Sequence, residues 1–476
     1  MSESIFETVI GLEVHIELNT ETKIFCSCST EYGALPNTHV CPVCTGYPGT
    51  LPVLNRKAVT LAIRAGTALG CTILPTSGCA RKNYFYPDLP KGYQISQADF
   101  PVCTGGHVAI DTVSGRKEIG ITRIHIEEDA GKLVHNGLGE TFIDFNRAGV
   151  PLIEIVSAPD ISSAAEASAY LKKLRLIMLY AGVSDCKMNE GSMRCDVNIS
   201  VRRKGDTALG VRTEIKNLNS FAFTEKAIEA ETNRQLAAIE TGGEITRQTL
   251  RFDPASGKVI VMRDKESGED YRFFPEPDIP MFRITKADIE NAAKDLPTLP
   301  DEREKLYTEK YGIPHKDAVI LISEPAVSLF FDSVIPFTKY KKIAASLILA
   351  EFPGFYKAAQ KNSHTLAEKL AELCDLLGDK EISSSVAKKV LKLLLSENIS
   401  PLKYIDEHAL RLVRDEAVLK AAVQRAVLEN PDMVSDYRSG RTAAIKSIMG
   451  ICMRLSGGSG DPELLDRLLK EALNKN

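Results

Sequence analysis

The chain has no apolar run near the ~18 residues needed to cross a bilayer. It does not open on a secretion signal or an Arg/Ser-rich transit segment either, because strand-like sequence begins by Thr8. These absences point away from the membrane and toward the cytoplasm. An excess of positive charge is also missing. Lys and Arg number 59 against 63 Asp and Glu, a net charge of −4. Wholesale nucleic-acid binding on charge alone is thereby excluded, and any such contact must come from local patches. No G-x-x-x-x-G-K-[ST] segment is present, which excludes a P-loop enzyme, and no glycine fingerprint opens a βαβ unit. A G-x-S-x-G nucleophile elbow is absent too. Nucleotide chemistry, if present, must come from a sheet face.

Eleven cysteines are present, an odd count in a long chain without a signal peptide. That favours free thiols in a reducing compartment over a disulfide framework. Four of them are paired at short spacing, as Cys26-x-Cys28 and Cys41-x-x-Cys44, with twelve residues between the pairs. Four thiolates suit tetrahedral Zn²⁺, and Pro42, Gly46, Pro48 and Gly49 let the chain double back around it. A closed four-thiolate site has no open position for substrate. The zinc expected here is structural, and chemistry has to be sought elsewhere.

With 476 residues, 44% apolar and 26% charged, the chain reads as an ordinary soluble protein of about two to four domains. The first half is rich in strand patterns. In residues 8–18, Leu12, Val14, Ile16 and Leu18 alternate with Glu13, His15 and Glu17. In 194–202, Cys195, Val197, Ile199 and Val201 alternate with Arg194, Asp196, Asn198, Ser200 and Arg202. In 211–217, Val211, Thr213 and Ile215 oppose Arg212, Glu214 and Lys216. The pattern is weaker near 119–128 and 150–157. Two helices interrupt the strands. One follows a capping box at Ser163-x-x-Glu166 and ends near Gly182; the other runs from about Phe223 to Glu240. A proline cluster at Pro275, Pro277 and Pro280 suggests that a first domain ends near 290. Residues 291–404 read as a helical linker domain and 405–476 as a separate helical tail. In the tail, SGGSGD (456–461) reads as a flexible linker rather than a glutamine-hydrolysing loop.

The polar faces of the strands carry Glu13, His15, Arg194, Glu214 and Lys216, with Glu127, Glu128, Glu154 and Glu190 nearby in pattern. Residues two apart on a strand share a face, so Glu13 and His15 can converge on one ion. One such face alone would read as solvated surface. Several strands mixing carboxylates and cations suit Mg²⁺ and phosphate oxygens together, as an ATP site requires. The stretch ARKNYFYPDLPKGYQISQ (80–97) reads as a loop with Arg81 and Lys82 beside aromatics. It can stack on a base, or it can pack on the sheet. The stretch Asp436–Arg454 carries Arg438, Arg441, Lys446 and Arg454 against a single acid, which suits phosphate contacts as well as a solvated helix.

Seven segments in order, VIGLEVHIEL, RKNYFYPDLPKGYQISQ, IGITRIHIEEDAGKL, DFNRAGVPLIEIVSAPD, GVSDCKMNEGSMRCDVNISVR, EIKNLNSF and DYRFFPEPDIP, resemble the B subunit of bacterial aspartyl/glutamyl-tRNA amidotransferases. The resemblance spans residues 8–280 and extends into the tail. It implies an α+β protein whose first domain is a glutamine-synthetase-like antiparallel cradle. It implies a cytoplasmic heterotrimer with an amidase-family A subunit, which frees ammonia from glutamine, and a small C subunit. ATP would phosphorylate the side-chain carboxylate of Glu-tRNA(Gln) or Asp-tRNA(Asn), and ammonia would displace the phosphate. By the same resemblance Glu13, His15, Glu127 and Glu128 are the expected Mg²⁺ ligands. Glu154, Glu190 and Glu214 are further catalytic candidates. Arg81, Lys82, Arg194, Lys216 and Arg272 are expected on ATP phosphates, and the tail on tRNA. The alternative is a non-catalytic tRNA-binding scaffold, which has no need of a face crowded with carboxylates.

Overall fold

The computed structural model describes residues 5–264, 271–359 and 364–474. The chain divides into two compact units, Met1–Pro300 and Asp301–Asn476.

The first unit is built on a ten-stranded sheet. In chain order its strands are β1 (Phe6–Glu17), β2 (Thr72–Ile73), β3 (Cys103–Thr104), β4 (His107–Thr112), β5 (Gly115–Glu128), β6 (Pro151–Ser157), β7 (Met193–Arg203), β8 (Thr213–Leu218), β9 (Gln248–Asp253) and β10 (Lys258–Asp264). They lie side by side as β10-β9-β8-β7-β1-β6-β5-β3-β2, with β4 also paired to β5. Neighbours are antiparallel except β8 and β9, which run parallel. The fold is mixed α+β.

Strand alternation decides which face becomes the core. Ile10, Leu12, Val14 and Ile16 of β1 are fully buried, together with Val197 and Ile199 of β7. Three helices cover this face: α1 (Arg56–Ala68), α2 (Ala164–Tyr180) and α3 (Phe221–Glu240). Their inward residues, among them Leu61, Tyr170, Leu171, Leu174 and Ile228, join the same core. Ser163 caps α2 by accepting from the Glu166 amide, and Gly182 at φ +65° turns the chain beyond its end. The box at this helix start is one-sided. The Glu166 carboxylate accepts instead from the Ser162 amide at 2.9 Å and from Lys117 at 2.8 Å.

The weak patterns at 119–128 and 150–157 belong to central strands. In β6, Leu152, Ile153, Glu154 and Ile155 are all buried, so both faces are covered and alternation fades. Val211, by contrast, lies outside β8 and is exposed. The stretch 80–97, expected as a loop, is partly a small sheet. Ala80–Asn83 pairs with Tyr93–Ser96 on one side and Phe274–Pro275 on the other.

Helices make up the second unit. Its last part has its own core, in which Leu419, Val423, Ile448, Cys452, Leu465 and Leu469 meet. The Gly-Ser segment expected to be a flexible linker is held in place. Val413 exchanges backbone hydrogen bonds with Ser459 and Asp461, and Asp461 caps helix Pro462–Asn474 through the amides of Glu463 and Leu464. Among the described residues no single helix is long and apolar enough to cross a membrane.

Candidate functional site

The polar face of β1 faces away from the core, and sheet register gathers its partners. His15 lies opposite Glu154 on β6 and Arg194 on β7, and Glu154 lies opposite His125 on β5. Glu127 is two residues along from His125 and therefore on the same face. Four side chains meet here. His15 Nε2 is 3.2 Å from Glu154 Oε2 and 3.4 Å from Glu127 Oε1. His125 Nε2 is 3.6 Å from Glu154 and 3.7 Å from Glu127. Burial is the largest influence on His15 and lowers its pKa. The hydrogen bond and charge of Glu154, with the charge of Glu127, outweigh it and lift the imidazole to about 9. Glu154 is held below the usual carboxylate range despite its burial, by the charge of His125 and the hydrogen bond from His15.

A second oxygen cluster sits one step along the same face. Glu13 lies opposite Asp196, and Glu214 lies opposite Asn198. One carboxylate oxygen from each of Glu13, Asp196 and Glu214 falls within 4.8 Å of the others. Lys216 Nζ bridges two of them, at 2.8 Å from both Asp196 and Glu214. Asn198 donates to Glu13 at 2.8 Å. A β-bulge builds this corner. The register slips between Cys195 and Val197, Asn217 adopts φ +58°, and its amide donates to Asp196 at 2.8 Å. Burial and the charges of Glu154, Glu214 and Asp196 raise the Glu13 carboxyl.

Beyond β5, Asp129 takes Arg194 as an ion-pair partner and lies 3.6 Å from Arg147. Burial, with the charge of Asp129, raises Glu17 to about 8.

The aromatic stretch borders the first cluster. Tyr84 meets Tyr271 edge-on at 6.0 Å, and Tyr271 meets Phe273 at 6.1 Å. Lys82 lies over the Tyr271 ring at 4.9 Å, and its charge reaches Glu154.

The four cysteines converge as well. Sγ atoms of Cys26, Cys28, Cys41 and Cys44 all lie within 4.8 Å of one another. A hydrogen bond from the Cys26 thiol, then the Cys41 amide and the Lys23 charge, hold Cys44 down at about 4. The knuckle is stitched to the loop before β6. Asn37 and Asp144 join at 3.0 Å, the His39 amide donates to Asn146 at 2.8 Å, and Asn146 donates to the Leu35 carbonyl at 2.7 Å.

Residues 8–290 match the family described as "GatB/GatE catalytic domain", and 329–473 match the "GatB domain". Proteins named as the B subunit of aspartyl/glutamyl-tRNA(Asn/Gln) amidotransferase are similar over nearly the whole chain. Those from Caldicellulosiruptor saccharolyticus and Clostridium tetani are 46% and 45% identical, over 99% of this chain and 99% of theirs. The one from Caldanaerobacter subterraneus subsp. tengcongensis is 47% identical, over 99% of this chain and 100% of its own. The chain belongs to this amidotransferase B-subunit family. Both carboxylate clusters and the cysteine knuckle fall inside the segment matched by the family's catalytic domain.

Of the residues singled out in sequence, Glu13, His15, Glu127, Glu154, Arg194, Glu214 and Lys216 come together on one face. Glu128 does not join them. One residue beyond Glu127, it falls on the opposite side of β5, where Lys91 Nζ and the Ile95 amide hold its Oε1. Glu190 lies in a turn, and its carboxylate is taken by Lys187 at 3.0 Å. Arg81 forms a two-pronged pair with Glu276 and stacks on Tyr93. Arg272 is exposed beside the aromatic ladder, and its carbonyl accepts from Asn83. Sequence reasoning missed His125, Asp196, Asn198, Asp129 and Glu17 as site residues. The polar alternation of β1 and β7 already carried Glu17, Asp196 and Asn198. The bulge against β8 that brings the Asn217 amide onto Asp196 left no such trace.

Proposed function

We propose that this chain is the ATP-using subunit of a glutamine-dependent tRNA amidotransferase, a ligase that activates the side-chain carboxylate of Glu-tRNA(Gln) or Asp-tRNA(Asn) for attack by ammonia. One observation carries the reading: two adjoining carboxylate clusters, interleaved with His, Lys and Arg, occupy a single sheet face. The alternative, a non-catalytic tRNA-binding scaffold, has no use for buried carboxylates such as Glu127, Glu154, Asp196 and Glu214.

The donor set fits Mg²⁺, being rich in oxygen. Buried polar atoms without a partner also belong to this face, namely His125 Nδ1, Asn198 Oδ1 and Arg194 Nε. In this reading His15, Glu127 and Glu154 hold one ion, and Glu13, Asp196 and Glu214 hold another. When bound, the ions neutralise the phosphate oxygens during transfer. A free carboxylate is a poor electrophile, because its charge repels the nucleophile and oxide is a poor leaving group; its acyl phosphate, a mixed anhydride, has no charge on the acyl oxygen and releases phosphate when ammonia attacks the acyl carbon. Arg194, Lys216 and Lys82 supply positive charge around the same place. Lys82 and the Tyr84–Tyr271–Phe273 ladder suit a base-stacking platform. The four cysteines fit Zn²⁺ by donor type and convergence, as a structural site.

The wider reading follows the family. The sheet and its helices act as a glutamine-synthetase-like cradle over residues 1–290, 291–404 serve as a helical linker, and 405–476 contact tRNA. An A-subunit glutaminase supplies ammonia, a small C subunit completes a heterotrimer, and the assembly works in the bacterial cytoplasm. The test uses the whole complex with ammonium as nitrogen donor, so that channel defects do not mask the result. His15→Ala and Glu154→Gln should each abolish ATP-dependent amidation of charged tRNA, while the partner retains part of its glutamine hydrolysis. Near wild-type amidation with ammonium in both variants would overturn the assignment.

A further inference from the structure

Lys23 is fully buried, at 0% exposure. A lysine so placed usually faces a carboxylate. Among the described residues this one forms no such pair. Its ammonium lies 3.5 Å from Cys44 Sγ and 3.1 Å from the Phe145 carbonyl. Cys44 is the one buried member of the four-cysteine cluster, and its sulfur also faces the Cys41 amide at 3.2 Å. The loop before β6 closes over the lysine. Gly149 sits at φ +84°, and a Cβ there would come 3.5 Å from Lys23 Cδ and 3.7 Å from Cys44 Cβ. The Gly149 carbonyl meanwhile accepts from the Ile24 amide at 2.9 Å. The glycine of the DFNRAGV segment, in a positive-φ turn, thus packs directly on the lysine stem.

Four thiolates around one dication leave two negative charges in excess. At an exposed knuckle, water screens that excess. Beside buried Cys44 it does not, and an uncompensated charge there is costly.

We propose that Lys23 is a positioning residue of the four-cysteine site, placing a buried counter-charge beside Cys44 Sγ that offsets the excess negative charge of a zinc tetrathiolate and anchors the site to the Phe145 carbonyl. The inference rests on the zinc reading above. It adds that metal affinity depends on a side chain that is not a ligand. Groups just outside a metal's ligands tune affinity by about 10- to 100-fold. The same lysine links the four-cysteine cluster to the loop that carries Arg147, whose guanidinium holds the Ala130 and Gly131 carbonyls at 2.9 Å each.

The test compares the full-length wild type with Lys23→Met and Lys23→Gln. Zinc content is measured by elemental analysis, zinc affinity by chelator competition, and the sulfur-to-metal charge-transfer band after replacement by Co²⁺. Both variants should bind zinc about 10- to 100-fold more weakly and shift the Co²⁺ band, a change that lost packing alone would not cause. If both bind zinc like the wild type, Lys23 has no such role. If Lys23→Gln alone behaves like the wild type, a neutral donor suffices and the counter-charge is refuted. Should Lys23→Met fail to fold, Lys23→Gln decides by the same two criteria. A wild type that binds no zinc overturns the four-thiolate reading itself, which is a different result from zinc-replete wild type with unaltered variants.

Discussion

Lys216→Met is the most informative single change on the polar face. The Lys216 ammonium is 2.8 Å from both Asp196 and Glu214, which are 6% and 4% exposed. Methionine keeps the length of the stem and deletes the charge. Asp196 and Glu214 would then face each other and Glu13 with no cation between them. Removing one partner from a fully buried ion pair costs about 3–5 kcal/mol, and since the Lys216 side chain is itself 32% exposed the lower end applies. For a unit of this size that is a drop in Tm of about 5–10 °C. The purified chain would be melted in a chelator, with circular dichroism as the readout, and then in rising Mg²⁺. A divalent ion supplies the missing charge to the same three carboxylates. Lys216→Met should therefore gain more stability from Mg²⁺ than the wild type does. A variant that melts within about 1 °C of wild type in chelator, or that gains no more from Mg²⁺, would refute the claim that these carboxylates form one cation-dependent cluster.

Three further outcomes are expected. Glu17 is raised from 4.5 to about 8 by burial and the charge of Asp129, so the folded chain keeps a proton that the unfolded chain has released. This contribution is whole below the lower value and is lost as pH rises through the higher one. Glu17→Gln removes it, and the Tm advantage of the variant should widen from about pH 5 to about pH 9; parallel curves would contradict this. Cys44→Ser should lower zinc content and Tm together while leaving the Mg²⁺ dependence of surviving protein unchanged, and undiminished zinc on elemental analysis would count against it. In the tail, Arg438 donates to the Leu473 carbonyl and Arg441 pairs with Asp436, whereas Lys446 and Arg454 are exposed. Charge reversal of those two should raise KM for charged tRNA and flatten its dependence on salt, and an unaltered KM would remove the tail from tRNA contact.

Much of the sheet was legible because two of its strands alternate apolar and polar residues. β1 alternates between buried and half-buried positions and β7 pairs apolar with polar ones, so Leu12, Val14, Ile16, Val197 and Ile199 declare the core and Glu13, His15 and Arg194 declare the other side. β5 and β6 were faint because both of their faces are covered, and a buried Glu154 then breaks no pattern. The small sheet at 80–96 was hidden by its prolines and short strands. Local chemistry also set the cysteine knuckle, since ligand spacing within each pair is a property of neighbouring residues.

Other features depended on long-range placement. Glu127 and Glu128 are adjacent and identical in type, and only register on β5 sends one to His15 and the other to Lys91. The Asn217 amide reaches Asp196 through the bulge against β8, a mismatch between two strands that neither sequence contains alone. Lys23 reads as an ordinary surface lysine until the loop 145–150, more than a hundred residues later, closes over it. A side chain's type and its face of a strand are local quantities, fixed by a period of two. Its partners, its burial and therefore its charge state are set by which distant segments the fold brings against it.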